Sequence, residues 1–446
     1  MIDMSPLAVT IAMIGGLLVA VLLGFPLAFS LGGVAVFVGI LAWGPDVTGV
    51  LYNRLYGMLS NYVILAAPLF IGMGLMIERS GIAERLFGAL YLWLGGFRGG
   101  LAVATVLLGT ALAACVGIIA ASVITLGLIA LPAMLERGYA KDLATGSVCA
   151  GGTLGILIPP SVMLVFYGPT AAISVGQLFM GAIVPGLLLS GLYIAYIAVR
   201  SFISPHVAPS MSLEERNVSL SHKTYLLVTS AVPIVVLIVA VLGVIFLGIA
   251  TPTEAAAVGL TATLVIAAAY GRLNFSVING VTREAMIVTG MALFLGANAA
   301  MFTGVFLGLG CGDVVSGFIL SAPFGRWGAF FVVMFIVFIL GMFIDWIGII
   351  FVVVPLATPI GLALGFDKLW FAMMIIVNLQ MSFLTPPFAY AIFFLKGVCR
   401  PEWEVELSDI MKGVIPFVLI IVIALLLCIA FPQIITWLPD QMIVRS

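Results

Sequence analysis

Two segments of this chain pose the same structural problem. GGTLGILIPPSVMLVFYG (151–168) and NLQMSFLTPPFAYAIFFL (378–395) are each long and apolar enough to enter a bilayer, and each carries consecutive prolines near its centre. A proline removes one backbone donor and clashes with the preceding turn, so a pair of them breaks a helix. In hydrocarbon every carbonyl freed in this way needs another partner. Pro159 and Pro160 take helical donors from the carbonyls of Gly155 and Ile156, and Pro386 and Pro387 do the same to Ser382 and Phe383.

The rest of the chain places these breaks in a membrane. Of its 446 residues 64% are hydrophobic and 8% charged, against about 25% charged in a soluble protein. The expected surroundings are a lipid bilayer. A net charge of −1 argues against a nucleic-acid partner. Five scattered cysteines show no metal spacing and no disulfide framework, and read as packing residues. The first apolar run lacks a basic leader and is taken as a mature span. His206 and His222 fall in the longest polar connection, 200–223, which reads as a solvated linker.

The two halves align. Pro26 and Gly33 match Pro252 and Gly259 at an offset of 226. Pro132, Gly138, Lys141, Pro159 and Pro160 match Pro359, Gly365, Lys368, Pro386 and Pro387 at 227. Duplicated halves are frequent in secondary transporters. The expected fold is therefore an all-α polytopic membrane protein with two repeats, 1–200 and 225–446, joined by a cytoplasmic linker at 201–224. Spans are expected at 7–23, 26–43, 61–77, 143–168 and 174–199, with counterparts at 225–248, 252–270, 285–306, 370–395 and 413–431.

Apolar runs at 101–134 and 329–360 are each about 50 Å as helix, against a core of about 30 Å. They are too long for one crossing and short for two, and are expected to be re-entrant hairpins. Gly109 and Gly117, and Gly341 and Gly348, mark candidate turns. Five crossings per half is an odd number, so the repeats are expected to be inverted. With both termini outside, only Arg54, Arg326, Lys368 and Arg445 of the 17 Lys and Arg lie outside. The remaining thirteen lie inside, as the positive-inside rule requires.

Discontinuous helices at mid-membrane present unwound carbonyls to cations and half-helix N-termini to anions. Oxygen-bearing side chains cluster at both breaks: Thr153 and Ser161 at the first; Asn378, Gln380, Ser382 and Thr385 at the second. With Gly155, Ile158, Pro159, Pro160, Pro386 and Pro387 these form the candidate sodium and substrate positions of the broken helices. The hairpins add Gly117 and Ser122 in the first half and Gly341, Asp345 and Gly348 in the second. An intramembrane carboxylate marks an ion or proton path by default, so Asp345 reads as a sodium ligand, a protonatable carrier or a cap of the outgoing half-helix. Glu254 in TPTE reads as part of a capping box with Thr251. The charged clusters at 78–85 and 136–142 read as solvated loops, and 82–97 as an amphipathic interfacial helix.

LATGSVCAGGTLGILIPPSVMLVFYG, SVGQLFMGAIVPGLLL and GIATPTEAAAVG resemble the large membrane subunit of tripartite ATP-independent periplasmic (TRAP) transporters, over essentially the whole chain. The resemblance implies an elevator-type importer of organic acids in the bacterial inner membrane, with Na⁺ as coupling ion and no other cofactor. It implies two partners, a small four-helix membrane subunit and an extracytoplasmic solute-binding protein. The family's ion sites lie between each hairpin tip and its broken helix. They carry over onto Gly117 to Ser122 with Thr153 to Ser161, and onto Gly341 to Gly348 with Gln380 to Pro387. Many members carry Ser-Gly-Ser at the first tip where this chain has Cys115-Val116-Gly117, and the broader pattern is closer to the branch associated with 2-oxo and hydroxy monocarboxylates. The alternative from the residues alone is a channel built on re-entrant segments. No His-rich metal cluster, nucleophile triad or nucleotide loop speaks for an enzyme.

Overall fold

The computed structural model of the protein describes residues 4–211 and 218–443. Within them the fold is entirely helical, and nine helices are long and apolar enough to cross a membrane. It is a multi-pass membrane protein. Part of the connection expected at 200–223 lies outside the described residues. Within the described part His206 and His222 are exposed, while residues 207–211 are docked: the Ala208 carbonyl accepts from Gly99, the Val207 carbonyl from Ala140, and Met211 donates to the Gly95 carbonyl.

The first half runs α1 (Pro6–Leu22), α2 (Leu27–Trp43), α3 (Val47–Leu59), α4 (Ala66–Arg79), α5 (Ile82–Leu94), α6 (Gly100–Val116), α7 (Ile119–Leu135), α8 (Lys141–Thr153), α9 (Val162–Ala171) and α10 (Val175–Ile203). The second runs α11 (Leu220–Phe246), α12 (Pro252–Ala269), α13 (Phe275–Gly308), α14 (Cys311–Leu320), α15 (Gly325–Phe343), α16 (Trp346–Ala363), α17 (Lys368–Ser382), α18 (Tyr390–Val398) and α19 (Leu407–Ala430). Elements recur in the same order about 227 residues apart, including the short pair α5 and α14. There is one difference. In the first half Ser60 and Asn61 interrupt the chain between α3 and α4, whereas α13 passes its corresponding point unbroken over 34 residues. The sequence reading missed α3 and began α13 ten residues late.

Local chemistry sets the helix starts. Ser5 accepts from the Ala8 amide ahead of Pro6, Asn274 from Val277, and Asp367 from Trp370. Thr251 and Glu254 form the expected reciprocal capping box, which satisfies two otherwise orphaned amides.

Two bodies of packing follow. In one, α4 is buried from Phe70 to Ile77 and packs on α12 and α13, while α13 also covers α2 and α3. Small residues make the close approaches. A Cβ on Gly32 would collide with the Asn298 side chain, and one on Gly259 would lie 2.6 Å from Met73 Sδ. In the other, α6 and α7 both pack on α8, α8 packs on α19, and α15 packs on α17.

Candidate ion and substrate site

The two apolar runs each fold as helix, tight turn, helix. In the first the turn is Gly117-Ile118, with Gly117 at φ +64°, a conformation glycine adopts without penalty. In the second the turn is Ile344-Asp345, 227 residues later. Gly109, Gly341 and Gly348 are therefore not turns but points of close packing. A Cβ on Gly109 would lie 2.6 Å from the Gly151 carbonyl oxygen, one on Gly341 2.6 Å from Ser382 Oγ, and one on Gly348 2.5 Å from the Ile344 side chain.

Each double proline breaks its helix. α8 ends at Thr153, a 3₁₀ turn covers Leu154–Ile156, and α9 restarts at Val162. α17 ends at Ser382 and α18 restarts at Tyr390. Both Pro-Pro bonds are cis. α8 spans 13 residues and α9 spans 10, or about 20 and 15 Å, so neither piece crosses a bilayer alone.

The hairpin tips meet the breaks. A Cβ on Gly117 would lie 3.1 Å from the Val162 amide and 3.5 Å from the Pro160 carbonyl oxygen. In the second half the Phe388 amide donates to the Met342 carbonyl at 3.2 Å. Two further bonds one turn apart tie α17 to the incoming arm α15: Asn378 Nδ2 to the Met334 carbonyl at 2.7 Å, and Ser382 Oγ to the Phe338 carbonyl at 3.1 Å. The halves also cross over. Phe166 of α9 packs on Trp346 and Phe351 of α16, and α18 packs on α7. Sequence spacing carries no sign of that exchange.

Three of the four freed carbonyls find donors within the protein, contrary to the expectation that the prolines leave them open. Ser161 Oγ donates to Ile156 at 2.7 Å, Thr385 N to Ser382, and Ala391 N to Phe383. The fourth, on Gly155, has no donor among the described residues. Near Gly155 sits the buried Ser122 hydroxyl, 3.1 Å from where a Gly155 Cβ would be, and this hydroxyl has no partner among the described residues. Thr153 and Thr385 bond back to Ala150 and Met381 in their own helices, and Ile158 packs against Gly186. The first tip and break thus leave a carbonyl on Gly155 and a hydroxyl on the nearby Ser122 unclaimed among the described residues.

At the second tip Asp345 takes the N-cap position of α16. Its carboxylate lies toward the Trp346 and Ile347 amides without capping geometry, and within electrostatic reach of Tyr390. Gln380 is separated from the other candidates. It is about 200° round α17 from Asn378, away from α15, and both of its buried amide atoms lack partners among the described residues. The charged cluster at 78–85 is not simply solvated, because Glu78 accepts from Thr125 of α7 at 3.1 Å. Asp142 likewise pairs with Arg200 at 2.5 Å.

Residues 14–434 match the family described as the tripartite ATP-independent periplasmic transporter, DctM component. The C4-dicarboxylate TRAP transporter large permease protein DctM of Vibrio cholerae is 31% identical, over 94% of both chains. The sialic acid TRAP transporter permease protein SiaT of Haemophilus influenzae is 26% identical over 96% of this chain and 67% of its own length. Among solved structures, the YdaH transporter of Alcanivorax borkumensis superposes with a TM-score of 0.59 at 14% identity, covering 86% of this chain and 88% of that one, a likeness of fold.

Proposed function

Because this chain belongs to the family of DctM-type large permease components of tripartite ATP-independent periplasmic transporters, we propose that it imports an organic acid with Na⁺. The acid is handed over by an extracytoplasmic solute-binding protein, and a small membrane subunit of about four helices completes the complex. The observation that carries the reading is the pair of tip-and-break junctions. At the first, the Gly155 carbonyl and the Ser122 hydroxyl are oxygens in a buried setting with no protein donor or acceptor opposite, the environment a hard cation completes. At the second, the Asp345 carboxylate supplies the charge, next to the break that Phe388 ties to the hairpin. Gln380 offers a further unclaimed amide on the other face of α17.

The halves are proposed to be oppositely oriented, with α6–α7 and α15–α16 as re-entrant hairpins. Arm length does not decide this, since α15 and α16 are 19 and 18 residues long. The clustering of charge supports it. Arg54 and Lys368, both assigned outside, line one cleft. Lys141, Lys396 and Arg400, all assigned inside, line another, and Arg79, also assigned inside, pairs at 2.5 Å with Glu284, the neighbour of the inside-assigned Arg283. Making either hairpin a crossing would flip everything after it and separate residues that are neighbours here.

In this mechanism the hairpins and broken helices move as a unit against the body built on α2, α4, α12 and α13. An ion entering down about 100 mV yields about 2.3 kcal/mol, and a tenfold gradient adds about 1.4 kcal/mol. Two ions then drive roughly a thousandfold or greater accumulation of a monoanion, after subtraction of the work of moving its charge. The C4-dicarboxylate and sialic acid relatives and the resemblance to the monocarboxylate branch support a carboxylate as the substrate. The test is uptake into proteoliposomes holding both membrane subunits, with binding protein added outside. Uptake should need an inward Na⁺ gradient and the binding protein. Equal uptake in K⁺, or robust uptake without the binding protein, would count against the proposal.

A further inference from the structure

A cleft of about 760 Å³ opens between α3 and α13 on one wall and α16 with the end of α9 on the other. Two cations line it, Arg54 from α3 and Lys368 from the start of α17, and no carboxylate does. Among the described residues neither is in an ion pair. Lys368 Nζ donates to the Ala172 carbonyl at 2.8 Å, leaving two donors. The Arg54 stem lies against Gly304, where an added Cβ would sit 2.6 Å from its Cγ, and its guanidinium keeps its donors. A third observation points to the same space. Thr358, on the α16 wall, is 8% exposed and its hydroxyl has no partner among the described residues.

We propose that this cleft is a receiving site for a small organic anion, whose carboxylate is held by Arg54 and Lys368 and accepts from the Thr358 hydroxyl. Unpaired cations on low-dielectric walls concentrate anions, and a guanidinium presents a planar fork matched to a carboxylate. The cleft leads toward the second hairpin tip. Phe351 is among its lining residues, the Phe351 ring packs on Phe166 at 5.7 Å, and Phe166 packs on Trp346, next to Asp345. The Phe351 lining of the cleft is thus joined to the tip through Phe166 and Trp346. This rests on the import reading above and deepens it by giving the arriving substrate its first contacts on this chain.

The test uses no ion gradient and no transport, so a failure of sodium coupling leaves it intact. Asn53, exposed at the rim, is changed to Cys in a Cys399→Ser background; the other four cysteines are buried. Labelling rates are measured with anionic sulfonatoethyl and cationic trimethylammonioethyl methanethiosulfonate, with neutral methyl methanethiosulfonate as the control for accessibility and folding. Each rate divided by that reagent's rate with a free small thiol should favour the anionic reagent, and Arg54→Gln with Lys368→Gln should cut this normalised anionic-to-cationic ratio on the order of tenfold. Acetate, pyruvate or succinate should slow labelling, and Thr358→Val should abolish that protection. A ratio indifferent to the two Gln changes, no protection by any of the three acids, or equal protection in Thr358→Val would each overturn the assignment.

Discussion

Gly117→Ala tests the first junction at its narrowest point. The substitution has two costs. Holding alanine at φ +64° costs about 1–2 kcal/mol, with or without an ion. The added Cβ would also stand 3.1 Å from the Val162 amide, so the tip must retreat from the break by a few tenths of an ångström. Only that retreat bears on ion binding. At an effective dielectric of about 20, lengthening an ion–oxygen contact from about 2.4 to about 2.7 Å costs on the order of 0.4 kcal/mol for an oxygen of half charge. Two or three such oxygens lose about 1 kcal/mol, or on the order of fivefold in affinity. Gly138→Ala is the matched control, because Gly138 lies at φ +73° with open space where its Cβ would be. It carries the dihedral cost without the approach. Radiolabelled Na⁺ binding to purified protein should therefore weaken on the order of fivefold in Gly117→Ala and stay unchanged in Gly138→Ala. Equal isotherms for Gly117→Ala and the native chain, or an equal loss in both variants, would refute the reasoning.

Other substitutions separate ligands from struts. Ser122→Ala removes a hydroxyl that bonds nothing in the protein, so thermal stability should hold while Na⁺ binding weakens. Ser161→Ala strips the Ile156 carbonyl of its donor and should cost about 1–3 kcal/mol of stability, read as a lowered unfolding midpoint in Na⁺-free buffer. Asp345→Asn keeps a side chain suited to the N-cap position, so the protein should stay folded while sodium dependence of uptake falls; unchanged dependence would remove Asp345 from the ion path. Gln380→Leu removes two unpaired buried amide atoms and should leave the Na⁺-free unfolding midpoint equal or higher, whereas a clear drop would mean that the amide is bonded in the native state.

The sequence made the breaks legible because proline acts locally. The helices end at Thr153 and Ser382, as the missing donors of the Pro-Pro pairs dictate. It made one turn legible as well, at Gly117. The other glycines misled, since a glycine kept for positive φ and one kept for close approach are the same letter. Gly109 faces the Gly151 backbone and Gly341 faces Ser382, contacts between residues about 40 positions apart. The fate of the freed carbonyls was hidden for a related reason. Whether Ser161 turns back to Ile156, or Ala391 reaches Phe383, depends on how the chain folds past the break. The cross-packing of Phe166 on Trp346 joins residues 180 positions apart, with no periodicity to announce it. α3 went unread because Asn53, Arg54 and Asn61 make its stretch look like a polar loop. Those residues instead line the cleft.

Density maps of the purified chain in Na⁺ and in N-methylglucamine, at a resolution that shows bound ions, test the central claim most directly. The account predicts a peak touching the Gly155 carbonyl and the Ser122 hydroxyl, and another at the Asp345 carboxylate, in the sodium map alone. Two maps that agree at both double-proline breaks would contradict it.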